Sequence, residues 1–337
     1  MVDYDAPQYE QDPGRPFAEA VSRQAAVLQE SLPRLRRRIE SDESLGAPRS
    51  AAFVGIGASH AAAQAAVHLL TRSGFAATRF TGAELPDDGT PLAALYVGIS
   101  QSGRSPEPLE ALRRADGVRR VAVVNEPGSP MVGIGHPLEL GALPDSGVST
   151  IAYSATAAAL SMLAERWLGG VDSRWDQLGG FLEEALVAHD ELLDEWVERL
   201  GRCTSIDVVG GGVFAGAAEA TALVLREAVH VAASASETRT YLHGQMDSAG
   251  ELSGHILLGG ARESLLKRQL RQRTANTLLI GSAAEDEDEL LVDTGNPAID
   301  AVVVTGILHE LALRWARHAG VDPDAAVFER LDTKVAG

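Results

Sequence analysis

Short apolar runs that end in glycine or serine and lead directly into helical patterns recur along this chain. AAFVGIG (51–57) precedes the helical pattern SHAAAQAAVHLLTRSG, and LAALYVGIS precedes PEPLEALRRA. Strands that alternate with helices predict a parallel, doubly wound sheet. The same pattern restarts at SIDVVGGG, where a helix is expected over 214–232. The fold class expected is therefore α/β, with two tandem flavodoxin-like units of similar length.

The length agrees with this division, because 337 residues fit two domains of about 100–200 residues each. An amphipathic helix is expected before the first strand, since apolar residues recur at helical spacing from Phe17 to Ile39. The final residues show no periodicity. We expect an N-terminal arm and helix over 1–50, domains over 51–185 and 186–320, and an irregular tail over 321–337.

The charge and cysteine content restrict the partners and the compartment. The formal net charge is -18, from 47 acidic and 29 basic residues, which argues against nucleic acid as a partner. Cys203 is the only cysteine, so an intramolecular disulfide and a CxxC metal site are excluded. The N-terminus lacks signal-peptide features, and no apolar run approaches the ~18 residues of a membrane span. We expect a cytoplasmic protein that does not associate with membranes.

A hydroxyl-rich turn follows the strand LYVGIS and precedes a helix that begins with Pro-Glu-Pro. Its polar side chains belong to Ser100, Gln101, Ser102 and Ser105. Hydroxyls and free amides at a helix N-terminus can hold a phosphate monoester without a strong net charge. The alternative is that Ser102 or Ser105 only caps the helix. Four polar side chains exceed what a cap needs, which favours a phosphate site.

Cofactor and metal signals are weak. GGGVFA (210–215) fits the dinucleotide pattern G-x-G-x-x-A between a strand and a helix, but we find no acidic residue at a strand end about 20 residues later. The nine histidines show neither HExxH nor paired spacing. We therefore expect neither a cofactor nor a metal.

Four segments together resemble the sugar isomerase (SIS) family: GIGAS (55–59), ISQSGRS (99–105), VVNEPGSPM (123–131) and DSGVST (145–150). They occur in the family's usual order, and the likeness extends from about residue 50 over nearly the whole chain. It is similar to the isomerase half of glucosamine-fructose-6-phosphate aminotransferase. The resemblance implies that Ser100, Gln101, Ser102 and Ser105 bind a sugar phosphate, and that Gly57, Ala58 and Ser59 contact the substrate.

The resemblance also implies an acid and base in the second half. Glu227 matches the family's general base, which moves a proton between C1 and C2, and His243 matches the ring-opening histidine. In the family this histidine comes from the neighbouring subunit, which implies a homodimer with shared sites. Lys334 resembles a C-terminal lysine that reaches the sugar. The alternative is that all three are ordinary solvated residues.

The chain departs from the family at several positions. Val224 stands where a lysine often precedes the catalytic glutamate, and Gln245 replaces a proline after the site histidine. The substrate expected is an amino or N-acetylamino hexose 6-phosphate, with isomerisation or deamination through proton abstraction at C2. The missing lysine leaves open dehydration of N-acetylglucosamine 6-phosphate through the same enolate. A non-catalytic phosphosugar sensor is a further alternative.

Overall fold

Two parallel sheets of five strands each form the frame of the chain. The computed structural model describes residues 14–86, 88, 90–328 and 333–334. The first sheet has the order β2-β1-β3-β4-β5, and all its pairs are parallel. Its strands are β1 (Ser50–Val54), β2 (Ala76–Phe80), β3 (Leu95–Ile99), β4 (Arg119–Val124) and β5 (His136–Glu139).

Helices cover the first sheet because its central strands are apolar on both faces. β3 is buried at every position, as expected for a strand inside a parallel sheet. The helices of this half are α1 (Phe17–Ser41), α2 (Ala58–Arg72), α3 (Pro106–Arg114), α4 (Ile151–Leu168) and α5 (Leu178–Ala188).

The second sheet repeats the first with the order β10-β9-β8-β6-β7, again with parallel pairs. Its strands are β6 (Ser205–Gly210), β7 (Ala232–Ser236), β8 (Ser253–Leu258), β9 (Thr277–Gly281) and β10 (Leu290–Leu291). The helices are α6 (Asp190–Leu200), α7 (Phe214–Val224), α8 (Thr238–Leu242), α9 (Ala261–Leu270) and α10 (Pro297–Ala319). The predicted fold class of two tandem doubly wound units is thus confirmed.

One apolar core extends through both halves. The leading helix α1 buries Phe17, Leu28 and Leu32 on one face and packs against α4, α5 and α10. The expected domain limits stay predictions, and the limit after residue 185 lies within α5. Among the described residues, no helix has both the length and the hydropathy that a membrane span needs.

Helices α2 and α7 pack against each other and join the two sheets. A Cβ placed on Gly216 of α7 would lie 2.4 Å from the carbonyl oxygen of Ala61 in α2, so the close approach requires glycine. The pair runs antiparallel: the turn at Gly57 faces Leu223, and the turn at Gly212 faces His68. Each glycine turn therefore lies against the C-terminal half of the other unit's helix.

The helix expected over 214–232 is shorter in the structure. α7 ends at Val224, a single π-helical turn covers Leu225–Val229, and His230 adopts a left-handed conformation with φ of 59°. The chain then forms β7 at the edge of the second sheet. A one-turn π segment widens a helix locally and is frequent at functional sites.

Candidate active site

The serine-rich loop after β3 is closed by hydrogen bonds among its own residues. The Ser100 hydroxyl donates to the Ser105 hydroxyl at 3.0 Å, and the Ser105 amide donates to the Ser100 hydroxyl at 3.4 Å. The Ser102 hydroxyl accepts from the amide of Arg104 at 3.3 Å. Gly103 allows the tight turn, because its φ is +60° and a Cβ there would lie 2.0 Å from the Ser129 hydroxyl. The loop thus presents several hydroxyls in one small volume.

The amide contribution is smaller than the sequence suggested. α3 starts with Pro106 and has a second proline at Pro108, and neither residue has an amide proton. Ser105 occupies the cap position, but its side chain makes no capping hydrogen bond. Fewer free amides are therefore present at this helix start than were expected beside the hydroxyls, and the alternative that the Ser105 side chain caps the helix is wrong. Hydroxyl groups provide most of this cradle.

Lys334 brings a positive charge to the cradle. Its Nζ donates to the Ser105 hydroxyl at 3.2 Å, and the side chain is half-buried. The irregular tail that carries Lys334 is also anchored earlier, because the Asp324 carboxylate accepts from the amide of Phe17 at 2.9 and 3.2 Å. An ammonium beside the serine hydroxyls complements a phosphate dianion.

The turn GIGAS lies beside this loop. β1 and β3 are neighbours in the sheet, so the segments that follow them meet at its carboxyl edge. Gly57 has φ of +55° and precedes Ala58 and Ser59 in the first turn of α2. All three residues are at least partly exposed at this edge. The residues expected to contact substrate and those expected to bind phosphate are thus adjacent.

The helix that leads to Glu227 comes from the second half of the chain and packs beside the turn at Gly57. Leu223 of α7 faces Gly57, with 3.8 Å between a Leu223 methyl carbon and a Cβ built on Gly57. Glu227 lies one turn further along the same helix, in the π-helical segment, and is half-buried. The antiparallel packing of α2 and α7 therefore brings the C-terminal end of α7, which leads into the turn of Glu227, next to the turn at Gly57.

His243 lies elsewhere in the chain. It is exposed and follows α8 at the carboxyl edge of the second sheet. Within the described residues, no hydrogen bond or ion pair joins His243 to the loop at 100–105. The structure thus groups Ser100, Ser102, Ser105 and Lys334 at one edge and leaves His243 on the outer surface.

Asp145 holds together two segments of the candidate site, although no role was predicted for it from the sequence. Its carboxylate accepts from the amides of Thr150, Ile151 and Ala152 and from the hydroxyls of Ser149 and Thr150. It also accepts from Gln101 Nε2 at 3.2 Å. Burial raises the pKa of this carboxyl group, while the hydrogen bonds from Thr150 and Ser149 oppose the rise. Gln101 is therefore fixed by a buried carboxylate at the start of α4.

A second group that sequence reasoning missed links the two halves near Glu227. The Arg79 guanidinium makes a two-pronged ion pair with Glu219 of α7, with distances of 2.5 and 2.6 Å. Arg79 also donates to the carbonyl oxygen of His60 in α2 at 3.1 Å. No motif marks this pair, because its members lie far apart in sequence. The pair ties the helix of Glu227 to the edge of the first sheet.

The structure corrects one point about the dinucleotide pattern. Glu237 follows directly after β7, at a strand end where no acidic residue was expected. Its carboxylate accepts from the amides of Arg239 and Thr240, so it caps α8. The His68 ring lies 3.1 Å from a Cβ built on Gly212, where a pyrophosphate would approach the glycine turn. In the described part of the chain, no cluster of three or more potential metal ligands occurs.

Comparison with known proteins identifies the fold. Neither a protein-family model nor a curated protein sequence matches the chain. The C-terminal domain of glucosamine-fructose-6-phosphate aminotransferase from Francisella tularensis is similar, with a TM-score of 0.77 and 17% identity over 94% of this chain and 99% of that domain. Glucosamine-6-phosphate deaminase from Thermotoga maritima is also similar, with a TM-score of 0.77 and 19% identity over 95% of this chain and 99% of that one.

Tagatose-6-phosphate ketose/aldose isomerase from Escherichia coli has a TM-score of 0.76 and 14% identity over 94% of this chain and 96% of that one. All three likenesses extend over both halves of the chain, and their identities are low enough that they speak for the fold alone. The resemblance found in the sequence motifs is confirmed at that level, and the chain has the tandem SIS fold that these phosphosugar enzymes share.

Proposed function

We propose that this chain is an enzyme that acts on an amino or N-acetylamino hexose 6-phosphate by opening the ring and removing the proton at C2. The observation that supports the proposal is that α7, which leads into the turn of Glu227, packs beside Gly57 at the edge where the hydroxyl loop also lies. The hydroxyl loop with Lys334 comes from one side, and Glu227 comes from the other half of the chain. A sugar phosphate held by its phosphate would extend from this loop toward the carboxylate.

In the proposed reaction, Ser100, Ser102 and Ser105 bind the phosphate through their hydroxyls, and Lys334 balances its charge. His243 of a neighbouring subunit transfers the anomeric proton and opens the ring. The Glu227 carboxylate then removes the C2 proton and leaves an enolate. The exposure of His243, with no described bond to the loop, supports its use in another subunit. A homodimer and a cytoplasmic location stay predictions.

The fate of the enolate defines the reaction class. Protonation at C1 gives the ketose, and with a free amine at C2 the resulting imine takes up water and releases ammonia. The similar glucosamine-6-phosphate deaminase supports this first reading. If the nitrogen is acylated, the enolate can instead expel the C3 hydroxyl, which is dehydration. The buried apolar Val224, in place of a lysine, supports this second candidate because no ammonium stands there.

Proton NMR in deuterated water tests the proposal with glucosamine 6-phosphate and, separately, N-acetylglucosamine 6-phosphate. We expect loss of the C2 proton signal with a ketose product from the first sugar, or a vinylic signal from the second. Glu227→Gln should reduce the rate at least about a thousandfold while binding persists, because the amide cannot accept the proton. Glu191→Gln, an equal charge change on the exposed face of α6, is the matched control.

A non-catalytic sensor predicts a different result. In that case both sugars bind, the C2 proton does not exchange in either, and Glu227→Gln changes nothing that can be measured. Such a result would reject the catalytic role of Glu227.

A further inference from the structure

The second half repeats the strand order of the first, and a second cleft lies at its own carboxyl edge. The sheets have the same strand order, and the turns after β1 and β6 both contain a glycine with positive φ, Gly57 and Gly212. α2 and α7 cross antiparallel at the boundary. Counting the same distance from the two glycines leads to Arg72 in the first half and to Glu227 in the second. Arg72, the last residue of α2, thus corresponds in sequence position to the proposed base, although α2 has no π-helical turn.

This second cleft lies at the carboxyl edge of the second sheet and has a volume of about 580 Å³. It is large enough for a small-molecule ligand. Its walls come from both halves of the chain: the C-terminal part of α2, the turn after β6, the residues after β7 and the start of α9. None of the catalytic or phosphate-binding residues proposed above lines it.

The second cleft lacks the hydroxyl loop that characterises the first. The loop after β8 is only Gly259–Gly260, without hydroxyls, and the start of α9 is already occupied by a carboxylate of the chain. Glu263 accepts from the Gly260 amide at 2.9 Å and from the Thr238 hydroxyl at 2.6 Å. A phosphate therefore cannot bind at this helix start in the way proposed for the first cleft.

Positive charge is found instead on the rim. Arg72, Arg239 and Arg262 line the second cleft, all three are exposed, and the ion pairs within the described residues use none of them. His68 adds an imidazole to the same wall. Three arginines without a carboxylate partner around one cleft are notable in a chain with a net charge of -18. Arginine is the side chain best suited to phosphate recognition.

The floor of the cleft presents oxygen atoms that suit hydroxyl groups. A Cβ built on Gly211 would lie 3.3 Å from both Glu263 Oε1 and Thr238 Oγ1, and 3.6 Å from Glu237 Oε1. Carboxylate oxygens accept hydrogen bonds and repel phosphate. A ligand with hydroxyls at one end and an anion at the other fits this arrangement.

We infer that the second cleft is a non-catalytic binding site for a phosphorylated sugar, with the hydroxyls at the Glu237 and Glu263 floor and the phosphate at the arginine rim. Arg72 stands where the first cleft has its proposed base, and the Glu237 and Glu263 carboxylates of the floor already accept hydrogen bonds from the chain. The site therefore binds a sugar phosphate without transforming it. This inference stands on the second cleft itself and does not depend on catalysis in the first.

Isothermal titration with glucosamine 6-phosphate tests the stoichiometry. Every chain carries Glu227→Gln to prevent turnover, and Ser102→Glu places a carboxylate in the first cleft to repel phosphate there. We expect two equivalents per chain without Ser102→Glu and one equivalent with it. Adding Arg72→Glu should weaken the remaining binding at least about tenfold. Arg268→Glu, on an exposed arginine of α9 outside the cleft, should leave it unchanged.

Arg239→Glu repeats the test if Arg72→Glu lowers the melting temperature more than Arg268→Glu does. Inorganic phosphate should bind the Ser102→Glu chain at least about tenfold more weakly than the sugar phosphate, since it has no hydroxyls for the floor. One equivalent that Ser102→Glu abolishes would overturn the second site. Equal binding of inorganic phosphate would overturn the assignment of a sugar. C2 exchange in the first cleft is measured separately, so either proposal can fail alone.

Discussion

A buried histidine should make this fold sensitive to mild acid. His309 lies within α10 with 1% of its surface exposed, and its Nδ1 is 3.1 Å from Gln24 Oε1 in α1. Because Gln24 Nε2 donates to the carbonyl oxygen of Gly306, its Oε1 is the acceptor for a proton on Nδ1. His309 Nε2 has no hydrogen-bond partner among the described residues. A second proton on this ring would be buried with nothing to accept it.

Burial lowers the pKa of His309 to about 3, from the value of 6.5 for an exposed histidine. The unfolded chain thus takes up a proton at a pH where the folded chain does not. The resulting stability is present above pH 6.5 and is lost progressively as the pH falls toward 3. One pH unit in this window corresponds to about 1.4 kcal/mol, so going from pH 7 to pH 5 should cost about 2 kcal/mol through this residue alone.

Urea unfolding of the wild type and of His309→Gln, at pH 7 and pH 5, measures the contribution of His309 to the pH dependence of the unfolding free energy. Tryptophan fluorescence and circular dichroism should give coincident transitions. Other histidines titrate in both chains, so their contribution cancels in the comparison. We expect the loss of unfolding free energy between the two pH values to be about 2 kcal/mol smaller in His309→Gln. Equal losses in the two chains would refute the reasoning.

Three further predictions concern the first cleft. Arg79→Ala should lower kcat about tenfold to a hundredfold with little change in KM, because Glu219 loses its partner and the helix that carries the proposed base is no longer fixed. Steady-state kinetics measures kcat and KM separately, and Arg79→Lys should recover part of kcat. Asp145→Ala should raise KM about tenfold by releasing Gln101, which titration with the sugar phosphate would show as weaker binding. Lys334→Ala should weaken inorganic phosphate binding at low salt more than at high salt, and equal loss at both would argue against a phosphate contact.

The strand and helix order could be predicted because half of the ten described strands are largely apolar runs that end in glycine or serine: β1, β3, β6, β8 and β9. β7 was missed for a physical reason. Its sequence AASAS has only small or weakly polar side chains, it lies at the edge of the sheet, and no glycine or proline separates it from the preceding helix. The left-handed turn that ends the helix uses His230, a residue type that gives no warning of a break.

The candidate site, too, could be predicted from the sequence only in part. The serine loop is contiguous, so its hydroxyls could be recognised from the sequence, and the loss of amides at Pro106 and Pro108 could have been deduced from the same helix start. Asp145 lay inside a segment that matched the family, yet its contact with Gln101 depends on two loops meeting in space. Pairs such as Arg79 and Glu219 leave no local sequence pattern, because the two residues lie 140 positions apart and meet only in the folded chain.

The antiparallel pair of helices explains how one chain can hold two different clefts. Each helix starts at the glycine turn of its own sheet and delivers its last turn to the glycine turn of the other sheet. In the two proposals, one residue near the end of each helix sets the character of the opposite cleft: Glu227, in the turn after α7, for the first and Arg72, at the end of α2, for the second. A carboxylate can accept a proton from carbon at neutral pH, whereas a guanidinium stays charged and can only bind an anion. The choice of these two residues would confine chemistry to one cleft in each chain and leave the other to recognise a ligand.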